Sequence, residues 1–241
     1  MWLAEKSVQE RYIGKCKEMA ITWDNNFKND VRYNTIVGMP LKIQGDIWFE
    51  FLKDRVSEDI FKKCIKNDIY PSPEYSSCGI YGNVSSSTLR YMYSAYDISF
   101  IFGKNLGVVG EIGVGFGGLC NTLSVFSKIN KYKFYDLPEV TSFATEYNKK
   151  LDNTNIVTEA NLTHDVLISE FCFSEFDDRL MQEYYNNVIL KSKNIYLLMN
   201  LHDLTRKAKW IDIIKKDFNV VIKDEFPKSR WDNYVIYGSI K

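Results

Sequence analysis

From about residue 105 the chain changes texture and begins to alternate. Short apolar segments suited to strands stand at 107–112, 132–135, 155–158, 166–169, 195–199, 219–222 and 234–240, and helical spacing fills 116–129, 138–151, 177–190 and 205–217. Few architectures accept that pattern. Strands separated by helices imply a mainly parallel sheet covered on both faces, and right-handed crossovers give it a doubly wound layout. The last two strands break the rule. Only residues 223–233 separate them, with Pro227, Asp232 and Asn233 among them, which is too little for a helical crossover, so strand seven is expected to run antiparallel to strand six. Strands three and four are joined by about 159–164, where the intervening helix is expected to be lost.

Before residue 105 apolar residues recur at helical spacing. Trp48, Phe49, Leu52, Val56, Ile60, Phe61 and Ile65 mark one face of a helix, with Asp46 as its start signal and Tyr70-Pro-Ser-Pro as its end. Residues 72–87, rich in Ser, Gly and Tyr, read as a loop, and 88–102 as a second helix. The expected organisation is a mainly helical cap over 1–104, for substrate binding, and an α/β unit over 105–241 carrying a Rossmann-like seven-stranded sheet. A length of 241 residues accommodates both.

Charge and cysteine content close off other classes. The 31 basic and 31 acidic side chains balance, against a phosphate-neutralising nucleic-acid binder. No stretch reaches the ~18 apolar residues of a spanning helix, and Glu5, Lys6 and Glu10 interrupt any signal-peptide core in 1–11. The five cysteines have no CxxC spacing and suit buried thiols in a reducing cytoplasm. With only His164 and His202, a His-rich metal cage is excluded and no metal is expected, although a carboxylate site stays open.

The sharpest chemical signal is Val108-Val-Gly-Glu-Ile-Gly-Val-Gly-Phe-Gly-Gly118, a strand running into glycines that open a helix. Such a turn lets backbone approach a ligand closely, and the helix start offers free N–H groups. Gly113, Gly115 and Gly118 formally satisfy GxGxxG, so a nicotinamide or flavin dinucleotide is one reading. Glu111 argues otherwise: a carboxylate two residues before the first glycine repels a pyrophosphate and suits a cation such as the amino group of a methionine moiety. Asp136, ending strand two in Tyr135-Asp-Leu-Pro138, is placed to accept both hydroxyls of an adenosine ribose. Adenosine with a cationic tail describes S-adenosylmethionine. The bland alternative is that the glycines only shape a turn and Asp136 only caps a helix.

These residues also carry a family resemblance. Glu111-Ile-Gly-Val-Gly-Phe-Gly-Gly118, Tyr135-Asp-Leu-Pro138, 165–176, the tyrosines Tyr184 and Tyr185, and 194–200 make residues 105–241 similar to a class I S-adenosylmethionine-dependent methyltransferase, whose sheet has seven strands with the last antiparallel. Within that class the chain resembles the sugar O-methyltransferases of polysaccharide-modifying systems, keeping their Ser174-Glu175 pair but carrying Glu170 where an Asn is usual. The first half joins in only through Ser87-Thr-Leu-Arg-Tyr91. The resemblance implies methyl transfer to a sugar hydroxyl, on a nucleotide sugar or a growing glycan. Alternatives are another small-molecule acceptor on the same fold, a non-catalytic cofactor-binding partner subunit, or a nicotinamide oxidoreductase.

Methyl transfer to a hydroxyl needs an aligned acceptor and a proton acceptor, and in an open α/β sheet the site lies beyond the carboxyl ends of the strands. That places the cofactor by Glu111, Gly113, Gly115, Phe116, Gly117, Asp136, Leu137 and Ser169. His202 is a candidate base tuned by adjacent Asp203, which equally reads as a helix cap; Glu175 is the second candidate base, or an ordinary helix-start charge. Arg90, Tyr91, Glu170 and Asn200 are candidates for the acceptor, Arg90 also reading as a salt-bridged helix residue. Tyr75, Tyr81 and Tyr93 are candidate stacking residues or core, His164 is expected in a loop at the far end of the sheet, and 223–230 reads as a solvated turn. A homo-oligomer is compatible with all of this.

Overall fold

A computed structural model describes residues 6–22, 25–37, 40–153, 155–159, 162–230 and 232–241. The first stretch is helical: α1 (Lys6–Thr22), α2 (Val31–Val37), α3 (Lys42–Leu52) and α4 (Glu58–Cys64). The single helix expected from the 46–65 periodicity is therefore two. Asp46 lies inside α3, which starts four residues earlier where the Leu41 N–H donates to Gln44 Oε1 at 2.9 Å. Ser57 then adopts an extended backbone and its hydroxyl accepts from Ile60 N, restarting the chain as α4.

The expected loop at 72–87 holds a small hairpin, β1 (Tyr75–Ser77) and β2 (Asn83–Ser85), too short to show a period. Asp68 anchors it by accepting from Ser85 N at 2.7 Å and from Thr88 Oγ1 at 2.8 Å. There the chain enters α5 (Ser86–Phe102), capped by Ser85.

The alternating half follows as β3 (Asn105–Ile112), α6 (Gly118–Phe126), β4 (Lys128–Tyr135), α7 (Pro138–Lys150), β5 (Ile156–Val157), β6 (His164–Glu170), the short α8 (Cys172–Glu175), α9 (Asp178–Asn187), β7 (Ser192–Met199), α10 (Leu204–Asp217), β8 (Phe218–Asp224) and β9 (Tyr234–Ile240). The helix expected over 116–129 stops earlier. Ser127 turns extended, its hydroxyl meets that of Ser99 at 2.7 Å, and Lys128 is already in the sheet. The seven strands stand in the order β5-β4-β3-β6-β7-β9-β8, with β9 antiparallel to both neighbours and the other pairs parallel. The short β5 sits at the edge, and the described residues between it and β6 contain no helix.

One face of the sheet shares its core with the helical half. Phe27 sets its ring against Phe116 and Phe143 at centroid distances of 5.7 and 4.9 Å, in a cluster that also holds Trp48, Leu89, Met92, Val109 and Tyr196. Each such ring is worth roughly 1.5–3 kcal/mol for its burial. Asn67 adds the polar joint: fully buried, it donates to Gly118 O and Thr122 Oγ1 at 2.9 and 2.7 Å, and its carbonyl accepts from Tyr147 Oη at 2.7 Å. The other face packs Ile112, Leu167, Leu197 and Ile236 against Met181 of α9 and Trp210 of α10. Among the described residues no helix is long and apolar enough to cross a membrane.

Candidate active site

The parallel strands bring Ile112, Tyr135, Glu170 and Met199 to one end of the sheet, with α5 packed beside it. Between β3 and α6 the glycine turn takes positive φ at Gly113, Gly115 and Gly117, with values of 80°, 52° and 83°. Gly113 is required twice over: a Cβ there would sit 2.1 Å from that of Cys172, in a backbone conformation L side chains rarely adopt. Asp136 locks the turn from the next strand by accepting from Val114 N at 2.8 Å and from Leu137 N at 2.7 Å. Burial pushes its carboxyl up to about 6, against the pull of backbone N–H groups at Leu137, Val114 and Gly115. Leu137 beside it is 42% exposed and leaves an apolar edge open.

Glu111 is the unusual group. It is 3% exposed, and Tyr132 Oη on the neighbouring strand donates to its Oε2 at 2.7 Å. No ion pair reaches it among the described residues. Burial raises its carboxyl well above the ordinary range; the Tyr132 hydrogen bond opposes this, and the charges of Glu170 and Asp136 add to it. A buried carboxylate without a cation is costly, and that cost is recovered when a cation arrives.

Phe116 and Ser169, expected beside a cofactor, are enclosed. Phe116 is fully buried among Tyr91, Tyr147 and Phe27. The Ser169 hydroxyl donates to Ile112 O at 3.0 Å and accepts from Phe173 N at 3.1 Å, joining β3, β6 and α8.

At the tip of β6, Phe171 has φ 67° and ψ −41°, a strained conformation for an aromatic residue that turns the chain into α8. Glu170, just before it, points to α5: its Oε1 accepts from Ser94 Oγ, and its Oε2 lies 3.7 Å from Arg90 Nε. Arg90 is thus ion-paired, and Tyr91 Oη accepts from its Nη2 at 3.4 Å. Beyond this pair a cavity of about 20 Å³ is lined by Trp48, Arg90, Tyr93, Ser94, Glu225 and Phe226, among others. Tyr75 lies in the hairpin, and Tyr81 stacks on Phe61 at 4.1 Å, so neither reaches this seam.

The turn expected at 223–230 is not simply solvated. Lys223 pairs with Asp97 of α5 at 2.6 Å, and Glu225 is buried, accepting from Ser229 N, Ser229 Oγ and Asn233 Nδ2.

After β7, Asn200 takes its place through Ser174, whose hydroxyl accepts from Asn200 N at 3.1 Å, and Asn200 Nδ2 donates to Glu175 Oε1 at 3.3 Å. The carboxylate that meets His202 is Asp232, not Asp203. Asp232 Oδ2 bonds His202 Nδ1, while Asp203 is the cap of α10, accepting from Arg206 N at 2.9 Å. Thirty residues separate His202 from Asp232, so no local spacing announces the pair. Asp232 is 5% exposed, while the His202 side chain is 39% exposed. His164, expected in a loop, opens β6 and is fully buried. No group of His, Cys, Asp and Glu among the described residues is arranged to hold a metal ion.

No family model matches the chain and no curated protein sequence matches it. Among solved structures, N-methyltransferase NodS from Bradyrhizobium japonicum WM9, in complex with S-adenosyl-L-homocysteine, is 13% identical over 63% of this chain and 86% of its own, with a TM-score of 0.50. The mitomycin 7-O-methyltransferase MmcR is 13% identical over 65% of this chain, which spans 56% of MmcR, at a TM-score of 0.49. A SAM-dependent methyltransferase from Aquifex aeolicus is 19% identical over 63% of this chain and 92% of its own, at 0.46. The likeness to NodS, with the seven-stranded order and the antiparallel β9, shows the Rossmann-like class I methyltransferase fold.

Proposed function

We propose that the chain is an S-adenosylmethionine-dependent O-methyltransferase acting on a sugar hydroxyl, on a nucleotide sugar or a glycan in polysaccharide biosynthesis. The observation that carries the reading is Glu111: a buried carboxylate without a cation, beside a glycine turn tied to Asp136. Asp136 takes the ribose hydroxyls, Leu137 the adenine face and Glu111 the ammonium group. The bound cofactor supplies an activated methyl group; the remaining work falls to the chain's own residues.

His202 accepts the proton of the attacking hydroxyl, held in one ring orientation by Asp232 through Nδ1. Glu175 and Asn200, hydrogen-bonded to each other, serve as a second proton acceptor and its holder. Residues 1–104 act as the acceptor cap. Arg90, with Tyr91 and Glu170 as its partners, lines the seam where Trp48, Tyr93 and Phe226 present rings and Glu225 a carboxylate. Rings with hydrogen-bonding groups between them match a hydroxylated ring in kind, but the space of about 20 Å³ between them has room for a water only, so the acceptor enters by parting these side chains. The five cysteines, none of them in a disulfide, fit a cytoplasmic setting.

Thermal unfolding with candidate ligands tests the reading. S-adenosylhomocysteine is expected to raise Tm and NAD to leave it unchanged; the reverse would make the chain a nicotinamide enzyme. Labelled methyl transfer to a panel of sugars and nucleotide sugars is expected with wild type. Cofactor affinity without turnover on any acceptor would make it a binding subunit.

A further inference from the structure

Glu111 and Tyr132 form a buried pair that the chemistry above leaves half explained. Both side chains are enclosed, at 3% and 0% exposure, and their 2.7 Å hydrogen bond runs between adjacent parallel strands. Among the described residues, the groups that weigh on this pair are neutral or acidic: Tyr91 from α5, Cys120 from α6, Asp136 after β4, Glu170 at the tip of β6 and Cys172 in α8. The Arg90 guanidinium of α5 is directed at Glu170. A phenol is a neutral donor: it can orient a carboxyl group in either protonation state, but it does not balance a negative charge. Desolvation and the like charges of Glu170 and Asp136 oppose ionisation, the Tyr132 hydrogen bond favours it, and the balance lifts the Glu111 carboxyl well above its ordinary range.

We propose that Tyr132 is a positioning residue whose hydroxyl orients the buried Glu111, itself a protonated acid before the cofactor binds, so that capture of an ammonium-bearing cofactor expels one proton. The inference rests on the cofactor reading above. In the step, the carboxyl O–H bond of Glu111 breaks, the proton leaves to solvent, and the carboxylate pairs with the incoming ammonium group. The Tyr132 hydrogen bond to Oε2 is kept throughout. Binding therefore tightens as pH rises until Glu111 is ionised in the empty protein as well, and levels off there.

Isothermal titration of S-adenosylhomocysteine, in two buffers of different ionisation enthalpy between pH 6 and 8, reads the proton directly. Wild type is expected to release about one proton through Glu111, and Glu111→Gln to lose that release. Asp136→Asn, which removes the other raised carboxyl, is expected to keep it. Tyr132→Phe is expected to weaken binding about tenfold at pH 6, the size of one hydrogen bond to a charged group, and to converge on wild type only at higher pH, where proton release has died away in both. A merely structural Tyr132 would weaken binding equally at every pH, which would overturn the proposal. So would undiminished proton release by Glu111→Gln. If wild type fails to bind the ligand at all, the cofactor reading falls with it; binding without proton release sinks only this inference.

Discussion

The two ends of the sheet treat buried polar groups in opposite ways. At the amino end of β6, His164 is enclosed with both ring nitrogens matched: Nε2 meets Oη of Tyr135, whose ring reaches back from the far end of β4, at 3.0 Å, and Nδ1 meets Ser192 Oγ at 3.3 Å. Gly110 makes room for it, since a Cβ there would approach the ring at 2.7 Å. At the carboxyl end, Glu111 is buried without a cation, Glu170 shares Arg90 with a like-charged neighbourhood, and Phe171 holds a strained turn. A network satisfied from within adds stability and has little left to offer a ligand. One left short of positive charge gives up stability and gains it back on binding a cation. The difference matches the proposed function, in which the amino end holds the fold and the carboxyl end carries the chemistry.

The largest expected effect lies at the carboxyl end. His202→Ala is expected to slow methyl transfer by at least about a hundredfold, the usual worth of a positioned base, with affinity for S-adenosylhomocysteine nearly unchanged. Kinetics alongside calorimetry would check it, and unchanged turnover would move the base to Glu175. The next effect is at the amino end and concerns stability. Burial lowers the His164 imidazole from its ordinary 6.5 to about 4, so below pH 6.5 the unfolded chain takes up a proton that the folded one refuses. Stability is then complete above pH 6.5 and falls as pH drops toward 4, by up to about 3 kcal/mol. Denaturant titrations across that window should show the slope, and His164→Gln should flatten it. A flat wild-type profile would mean the two ends are less different than they look.

Asp136→Ala should weaken S-adenosylhomocysteine about tenfold to a hundredfold, the loss of hydrogen bonds to a charged group, measured by calorimetry. The smallest effect belongs to a pair at neither end. Lys223 is about a third exposed where it meets Asp97, so Lys223→Ala is expected to cost about 1 kcal/mol or less in denaturant unfolding.

What could be read from the chain beforehand follows the range of the interactions. The seven strands, the antiparallel return of the last one and the glycine turn with Glu111 and Asp136 rest on local periodicity and on residues near a strand end. Tyr132, Asp232 and Glu225 rest on contacts with other elements. Tyr132 reads as one more apolar strand residue, and Asp232 as turn punctuation, until the sheet sets them against Glu111 and His202. The Asp203 reading failed as a partner for His202 for the opposite reason: the residue adjacent in sequence was needed by the helix start. The split of α3 from α4 turned on Ser57, whose capping signal lay inside an unbroken apolar stripe.

The central claim is that the carboxyl end is built to receive a cationic adenosyl ligand, and a crystal structure of the protein with S-adenosylhomocysteine tests it most directly. The account predicts the ribose hydroxyls on Asp136, the ammonium group on Glu111 with Tyr132 still bonded to it, and the sulfur turned toward Glu170 and the cap. A ligand bound elsewhere, or one whose ammonium group stands clear of Glu111, would contradict it.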